Sequence, residues 1–271
     1  EFEKNVQIDI GQMNQETIQA LASNKDELDT RALNAFEMKM SRWKTMDRGE
    51  LEEIANTLHD LLRDYSEKDA ETYENAWKEL SNTDEVAAND LRRLVHELKE
   101  RVASKTDAPC QTADIESVEQ LLAAADAAGP KLHALGKFFI SKQCPDGVQY
   151  KEAPTKGEER IREKIRTDYG GDCRRIVDAA RGSIICETLA ELAAAIRVLL
   201  ADETRAPMVV RVKDRLYEEP ASGGYRDVML NVEIEGHVCE LQLHLAKLIA
   251  IKSKAHRVYQ MQRSAGWEGE L

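Results

Sequence analysis

The stretch "GGYRDVMLNVEIEGHVCELQLHL", Gly223 to Leu245, constrains this chain more than any other. Apolar and polar residues alternate along it, which is the period of a strand exposed to two different environments. Glu235-Gly236 supplies a two-residue turn, because glycine accepts the positive φ that the tight hairpin turns demand. That turn predicts the register: Ile234 opposite His237, Val232 opposite Cys239, Leu230 opposite Leu241 and Val228 opposite Leu243. The inner pairs are apolar and make one buried face. The other face then sets Asn231 opposite Glu240, Met229 opposite Gln242 and Asp227 opposite His244. A slip of one residue would exchange the two faces, so the pattern specifies its own pairing. The polar face is either simply wet, as antiparallel sheets permit, or the floor of a site.

The remaining sequence divides by charge. Residues 151–271 carry 20 basic and 20 acidic side chains, so the net charge of −12 falls wholly on residues 1–150, where 18 basic side chains meet 30 acidic ones. An acidic helical half is a poor grip for nucleic acid, and an anionic ligand is expected in the neutral half. Neither DNA nor a membrane is expected as a partner, since no apolar run approaches a membrane span. The five cysteines are scattered, odd in number and without CxxC spacing, which argues against a disulfide framework or structural zinc and fits a reducing cytoplasm. The start "EFEKN" has neither an initiator Met nor a signal peptide and reads as that of an excised fragment.

The organisation reads as α+β. Residues 1–142 read as an N-terminal helical bundle, with stripes at Leu51, Ile54, Leu58, Leu61, Leu62 and Tyr65 and again at Leu91, Leu94, Val95, Leu98 and Val102. A third helical stretch is expected to break at Gly129-Pro130. Trp43 and Trp77 read as core, and His59, His96 and His133 receive no chemistry. Residues 143–157 read as a linker. From 158 to 271 helices and strands intermix: a short helix over "EERIREKIR", a strand over "RGSIIC", a helix opened by a Thr188–Glu191 capping box, a strand over "MVVRVKD", the hairpin and a closing helix. A mixed sheet flanked by helices follows.

Chemistry enters with Asp178 near the first of these strands and Glu240 on the last. Two carboxylates offer Mg²⁺ hard oxygen ligands and leave positions open for phosphates. Lys156, Arg160 and Lys164 recur at helical spacing and would meet those phosphates, and Tyr225 could stack on a base. The order of these pieces resembles the synthetase domain of the RelA/SpoT family over about residues 154–263. The matching segments are Lys156 with "RIREK", "DAARGSI" from Asp178, "KDRLYEEPASGGYRD" from Lys213, "ELQ" from Glu240 and "HRVY" from His256.

The resemblance implies a nucleotidyltransferase-type fold that uses Mg²⁺ to transfer pyrophosphate from ATP to the ribose hydroxyl of a nucleotide or RNA acceptor. Asp178 and Glu240 would be the catalytic and metal-binding residues. Lys156, Arg160, Lys164, Arg181, Tyr225, Arg226, Gln242, His244 and His256 would bind nucleotide. Four positions depart from the family pattern: Ser183 replaces an Arg, Ala221 a Lys, Asp227 a Ser and His244 an Arg. Because those changes remove basic contacts, a catalytically quiet binding module and a toxin or effector fragment share the same residues as alternative readings. "HD" at His59-Asp60 stands alone in an amphipathic helix, so alarmone hydrolysis is not expected. The acidic helices are expected to brace or regulate the site or to bind a protein partner.

Overall fold

In the computed structural model the described residues are 48–102, 108–112, 114–141, 144–202 and 208–251. Trp43 and His256 lie outside them, and so do the side chains of the stripe at Leu51–Tyr65, whose backbone is helical. Three long helices come first: α1 Arg48–Thr83, α2 Glu85–Val102 and α3 Val118–Ser141. Then follow β1 Gln149–Glu152, α4 Glu158–Asp168, β2 Arg181–Cys186, α5 Leu189–Ala201, β3 Val209–Asp214, β4 Val228–Ile234 and β5 His237–Leu245. Residues 246–251 are helical.

The strands make one five-stranded mixed sheet in the order β1-β2-β5-β4-β3, parallel only between β2 and β5. The hairpin adopts the register anticipated from its alternation, from Ile234↔His237 through Asn231↔Glu240 to Val228↔Leu243. Glu235 at φ 49° and Gly236 at φ 83° form its turn, with both central residues in the left-handed region that a primed turn requires. The apolar face is dry: Val228, Leu230 and Cys239 have no exposed surface, and Leu241 and Leu243 retain 1%. The polar face is not simply wet, because Asp227 and Asn231 are 0% exposed and His244 4%.

The chain separates into two compact units. Of the described residues, one holds 48–72, 222–224 and 251; within it Gly224 at φ 79° lies so close to α1 that a Cβ would strike the backbone of Ala70. The close approach that glycine permits here is to a helix. The other unit comprises residues 73–221 and 225–250 and holds the sheet. It begins well before residue 142, so α2 and α3, read from their helical spacing as part of the N-terminal bundle, are packed on the sheet. Their buried stripes explain why: Leu91, Leu94, Val95, Leu98 and Val102 of α2 are at most 5% exposed, and α2 joins α5 and β3 while α3 lies on β1, β2 and β5. Trp77 is buried with its ring edge-on to Tyr217.

Two expectations are corrected. The helix does not break at Gly129-Pro130: α3 runs through Pro130. Proline costs one helical hydrogen bond, but Ala125, Ala128, Leu132, Leu135 and Phe139 are all buried, and burial on both sides of the proline outweighs that loss. The stretch read as a linker contains β1, which adds to the edge of the sheet by pairing Tyr150 with Ile184. Tyr150 fixes that edge. A Cβ at Gly136 of α3 or at Gly182 of β2 would run into its ring, and its hydroxyl meets His133 Nδ1 at 2.8 Å.

His237, beside the hairpin turn, is 5% exposed and neither ring nitrogen has a partner. Burial lowers its pKa from 6.5 to about 4. The unfolded chain takes a proton near pH 6.5 and the folded chain only near 4, so stability is complete above 6.5 and falls as pH drops towards 4. The loss at pH 5 is on the order of 2 kcal/mol. Denaturant unfolding at pH 7.5 and pH 5 should show this loss in the wild type, and His237→Leu should remove that part of the pH dependence.

Candidate active site

The residues before β2 place the first carboxylate. The segment 174–180 has no regular structure along most of its length, and its carbonyls are pinned from outside. Gln111 N takes Arg174 O at 2.7 Å, while the buried Gln111 Nε2 reaches both Ile176 O (2.9 Å) and Val238 O (2.8 Å). Asn231 Nδ2 takes Val177 O at 3.4 Å, Lys156 N takes Ala179 O at 2.9 Å, and Glu240 N takes Ala180 O at 2.9 Å. Asp178 thus projects from a segment anchored to β4, β5 and the approach to α4, and its last anchor is the backbone of Glu240 itself.

Asp178 Oδ2 receives Lys156 Nζ at 2.5 Å and Lys164 Nζ at 2.9 Å, with side-chain exposures of only 14%, 13% and 20% for the three groups. Burial raises the Asp178 pKa, but the two ammonium groups outweigh it and the net shift is downward. Burial also depresses Lys156 below the ordinary lysine range despite Asp178, whereas in Lys164 the carboxylate prevails over burial and the pKa rises. Glu240 behaves oppositely to Asp178: burial, then the negative charge of Asp178, raise its pKa. Environment therefore separates the two carboxylates, one held ionised and the other inclined to keep a proton.

Register arranges the rest of this face in rows across the sheet. Arg181, Glu240, Asn231 and Arg211 form one row; Ser183, Gln242, Met229 and Lys213 form the next. A third continues past the ends of the strand pairing with Ile185, His244, Asp227 and Arg215: His244 Nδ1 lies 3.7 Å from Asp227 Oδ2, and Arg215 Nε and Nη2 hold Asp227 at 2.6 and 2.9 Å. Six basic residues (Lys156, Lys164, Arg181, Arg211, Lys213, Arg215) meet three carboxylates (Asp178, Asp227, Glu240) here, so the face is locally positive within an acidic chain. Such a face collects polyanions whatever the net charge of the whole.

The anticipated site residues divide accordingly. Lys156, Lys164, Asp178, Arg181, Glu240, Gln242 and His244 share this face. Arg160 is exposed and pairs with Glu163 at 2.7 Å. Arg226 is engaged elsewhere, with Leu216 O, Glu74 Oε2 (2.5 Å) and the Trp77 ring. Tyr225 is 7% exposed, edge-on to Tyr73 at 5.6 Å, with the Arg215 guanidinium 5.9 Å over its ring and its hydroxyl on His244 Nδ1 at 2.5 Å. Packing of this kind leaves no broad ring face for a base. Sequence reading missed Gln111, Arg211, Lys213, Arg215 and the anchoring role of Asn231. The basic alternation "RVKDR" was the one available signal for the three β3-side cations.

The residues present suit a magnesium ion. Asp178 Oδ1 is buried and unbonded. Among the described residues no group of three or more His, Cys, Asp or Glu gathers as a metal cage. Mg²⁺ is ordinarily held by one or two carboxylates, with water and substrate phosphates completing its shell, so two carboxylates are an adequate protein share.

No protein-family model and no curated protein matches the chain. Solved structures do. The chain is similar to the Type VI effector Tas1, solved in complex with its immunity protein (23% identity over 59% of this chain and 80% of that one, TM-score 0.41). It is also similar to small alarmone synthetase 1 from Bacillus subtilis (16% identity, 55% and 88%, TM-score 0.39) and to a GTP pyrophosphokinase family protein from Streptococcus pneumoniae (16%, 56% and 87%, TM-score 0.35). At such TM-scores the functional reading rests on this chain's own residues. Among the described residues no helix is long and apolar enough to cross a membrane.

Removing the Asp178 charge would leave two poorly hydrated ammonium groups facing each other. Asp178→Asn should therefore destabilise the protein by about 2 kcal/mol, below the 3–5 typical of a fully buried pair because all three groups keep some water. Adding Lys164→Met should restore part of that loss. The midpoint of denaturant unfolding checks both, and an unchanged midpoint in Asp178→Asn would contradict the triad.

Proposed function

We propose that the protein transfers pyrophosphate from ATP to the ribose hydroxyl of a nucleotide or RNA acceptor, with Mg²⁺. The observation that carries this reading is the unequal carboxylate pair, Asp178 and Glu240, on a face enriched in lysine and arginine. Lys156, Lys164 and Arg181 would hold the triphosphate, supplying fixed positive charge where negative charge develops. Asp178 and Glu240 would hold the metal, which on binding neutralises phosphate oxygens and favours attack at phosphorus.

Glu240 has the character of a general base. Its raised pKa brings it closer to the working pH, where a base transfers protons most effectively. In the proposed step the acceptor hydroxyl gives its proton to Glu240 while its oxygen bonds to the β-phosphorus. The bond from that phosphorus to the oxygen bridging to the α-phosphorus breaks, and AMP leaves with the electron pair. Gln242 and Ser183, beside Glu240 in the next row, are positioned to orient the acceptor. Tyr225 and Arg226 carry no role in this reading, being committed to Tyr73, His244, Glu74 and Trp77.

The test is incubation with ATP labelled in its γ-phosphate, Mg²⁺ and separate guanine nucleotide, adenine nucleotide and tRNA acceptors. Label should pass to one acceptor class, and Glu240→Gln should reduce the rate on the order of 10²-fold or more. Because the ionised form of Glu240 is required, the rate should fall on acidification at a higher pH than an ordinary glutamate, at 4.5, would give. Transfer undiminished in Glu240→Gln would overturn the reading.

A further inference from the structure

Asp227 and His244, two of the four positions that depart from the synthetase pattern, come together in space with Arg215. They share one row of the sheet, next to the row of Gln242 and Lys213. Asp227 is 0% exposed and Arg215 holds it with two nitrogens, while the Arg215 side chain keeps 21% of its surface. The guanidinium thus bridges a buried carboxylate and the polar face. The hydroxyl of Tyr225 meets His244 Nδ1, and the ring of Tyr225 lies under the guanidinium. Every member of this group is fixed by at least one other.

A purely structural account of the group is weak. A buried ion pair seldom stabilises more than apolar residues of the same size would, and here only one partner is buried. Arg215 also sharpens an existing crowd of cations. It follows Arg211 and Lys213 at every second residue, and Lys213 is exposed on the same side. Partial burial and then the like charges of Arg211 and Arg215 lower the Lys213 pKa. A guanidinium held in its plane by a bidentate carboxylate is preorganised for phosphate, and it never loses its charge.

Resting on the functional reading above, we infer that Arg215 is a substrate contact for a polyphosphate and that Asp227, backed by His244 and Tyr225, is the residue that positions it. The contact lies across β4 from Glu240, close enough for the Arg215 charge to act on that carboxyl. It therefore belongs to a part of the substrate different from the one at Lys156 and Lys164.

Calorimetric titration of the full chain with inorganic pyrophosphate, ATP and GDP in the presence of Mg²⁺ tests this. Arg215→Lys keeps the charge but not the fork. The double variant Arg215→Gln with Asp227→Asn keeps a neutral hydrogen-bonded pair of similar shape and so guards against misfolding. At least one of the three probes should bind the wild type and weaken about tenfold or more in both variants. The melting temperature of the double variant should stay within a few degrees of the wild type, which separates loss of a contact from loss of the fold. Asp227→Asn alone should weaken the same probe by a smaller factor. Wild-type binding with all three probes unaffected in both Arg215 variants would overturn the contact while leaving the functional reading intact. Unchanged affinity in Asp227→Asn alone would overturn the positioning role. A wild type that binds none of the probes would overturn the functional reading and this contact with it.

Discussion

The contact of Asp178 with Lys156 and Lys164 is the interaction on which the candidate site depends, and the neighbouring Glu240 feels the negative charge it leaves. Placing two carboxylates together away from water is unfavourable unless cations or protons compensate. Lys156 and Lys164 compensate Asp178 directly. Glu240 is compensated in part by a raised affinity for a proton. The geometry that keeps them together is backbone geometry: the parallel pairing of β2 with β5, and the hydrogen bond from Glu240 N to Ala180 O. Gln111 and Asn231 then prevent the segment before β2 from relaxing away.

The two faces of the sheet divide the labour. Val228, Leu230, Leu241 and Leu243 on one face make a dry core beneath helices, while the other face carries the rows of basic and acidic groups. Alternation along each strand allows a single hairpin to serve both purposes. The acidity of the chain as a whole does not conflict with a phosphate site, since the field close to the surface depends on local groups, and distant charges are screened within about 10 Å at ordinary ionic strength.

Much of this was legible in the sequence because it is local. The hairpin register follows from period-two alternation plus one glycine, and the Thr188–Glu191 capping box forms as its spacing suggests. The buried stripe of α2 follows from helical spacing. What was not legible is decided at long range. Pro130 continues a helix because both flanking turns are buried. The short segment Gln149–Glu152 is too polar to announce itself as a strand, yet Tyr150 fits a slot cleared by two glycines distant in sequence. Tyr225 looked like an open stacking platform from its glycine neighbours, but Tyr73 and Arg215 occupy its surroundings. Gln111 and Arg215 matter only because the fold brings them to carbonyls and carboxylates far along the chain. Asp178 and Glu240 were legible as a pair only through the order of motifs, not through any spacing of their own.

The central claim is that Asp178 and Glu240 form one electrostatic unit, and the ionisation of Glu240 measures it most directly. Difference infrared spectroscopy of the carboxyl stretch, with Glu240→Gln to assign the band, gives that titration in the wild type and in Asp178→Asn. The account predicts that Glu240 in the wild type stays protonated to a pH above the ordinary 4.5, and that its titration moves down when the Asp178 charge is removed. A Glu240 that titrates at an ordinary value, and at the same value in both proteins, would contradict it.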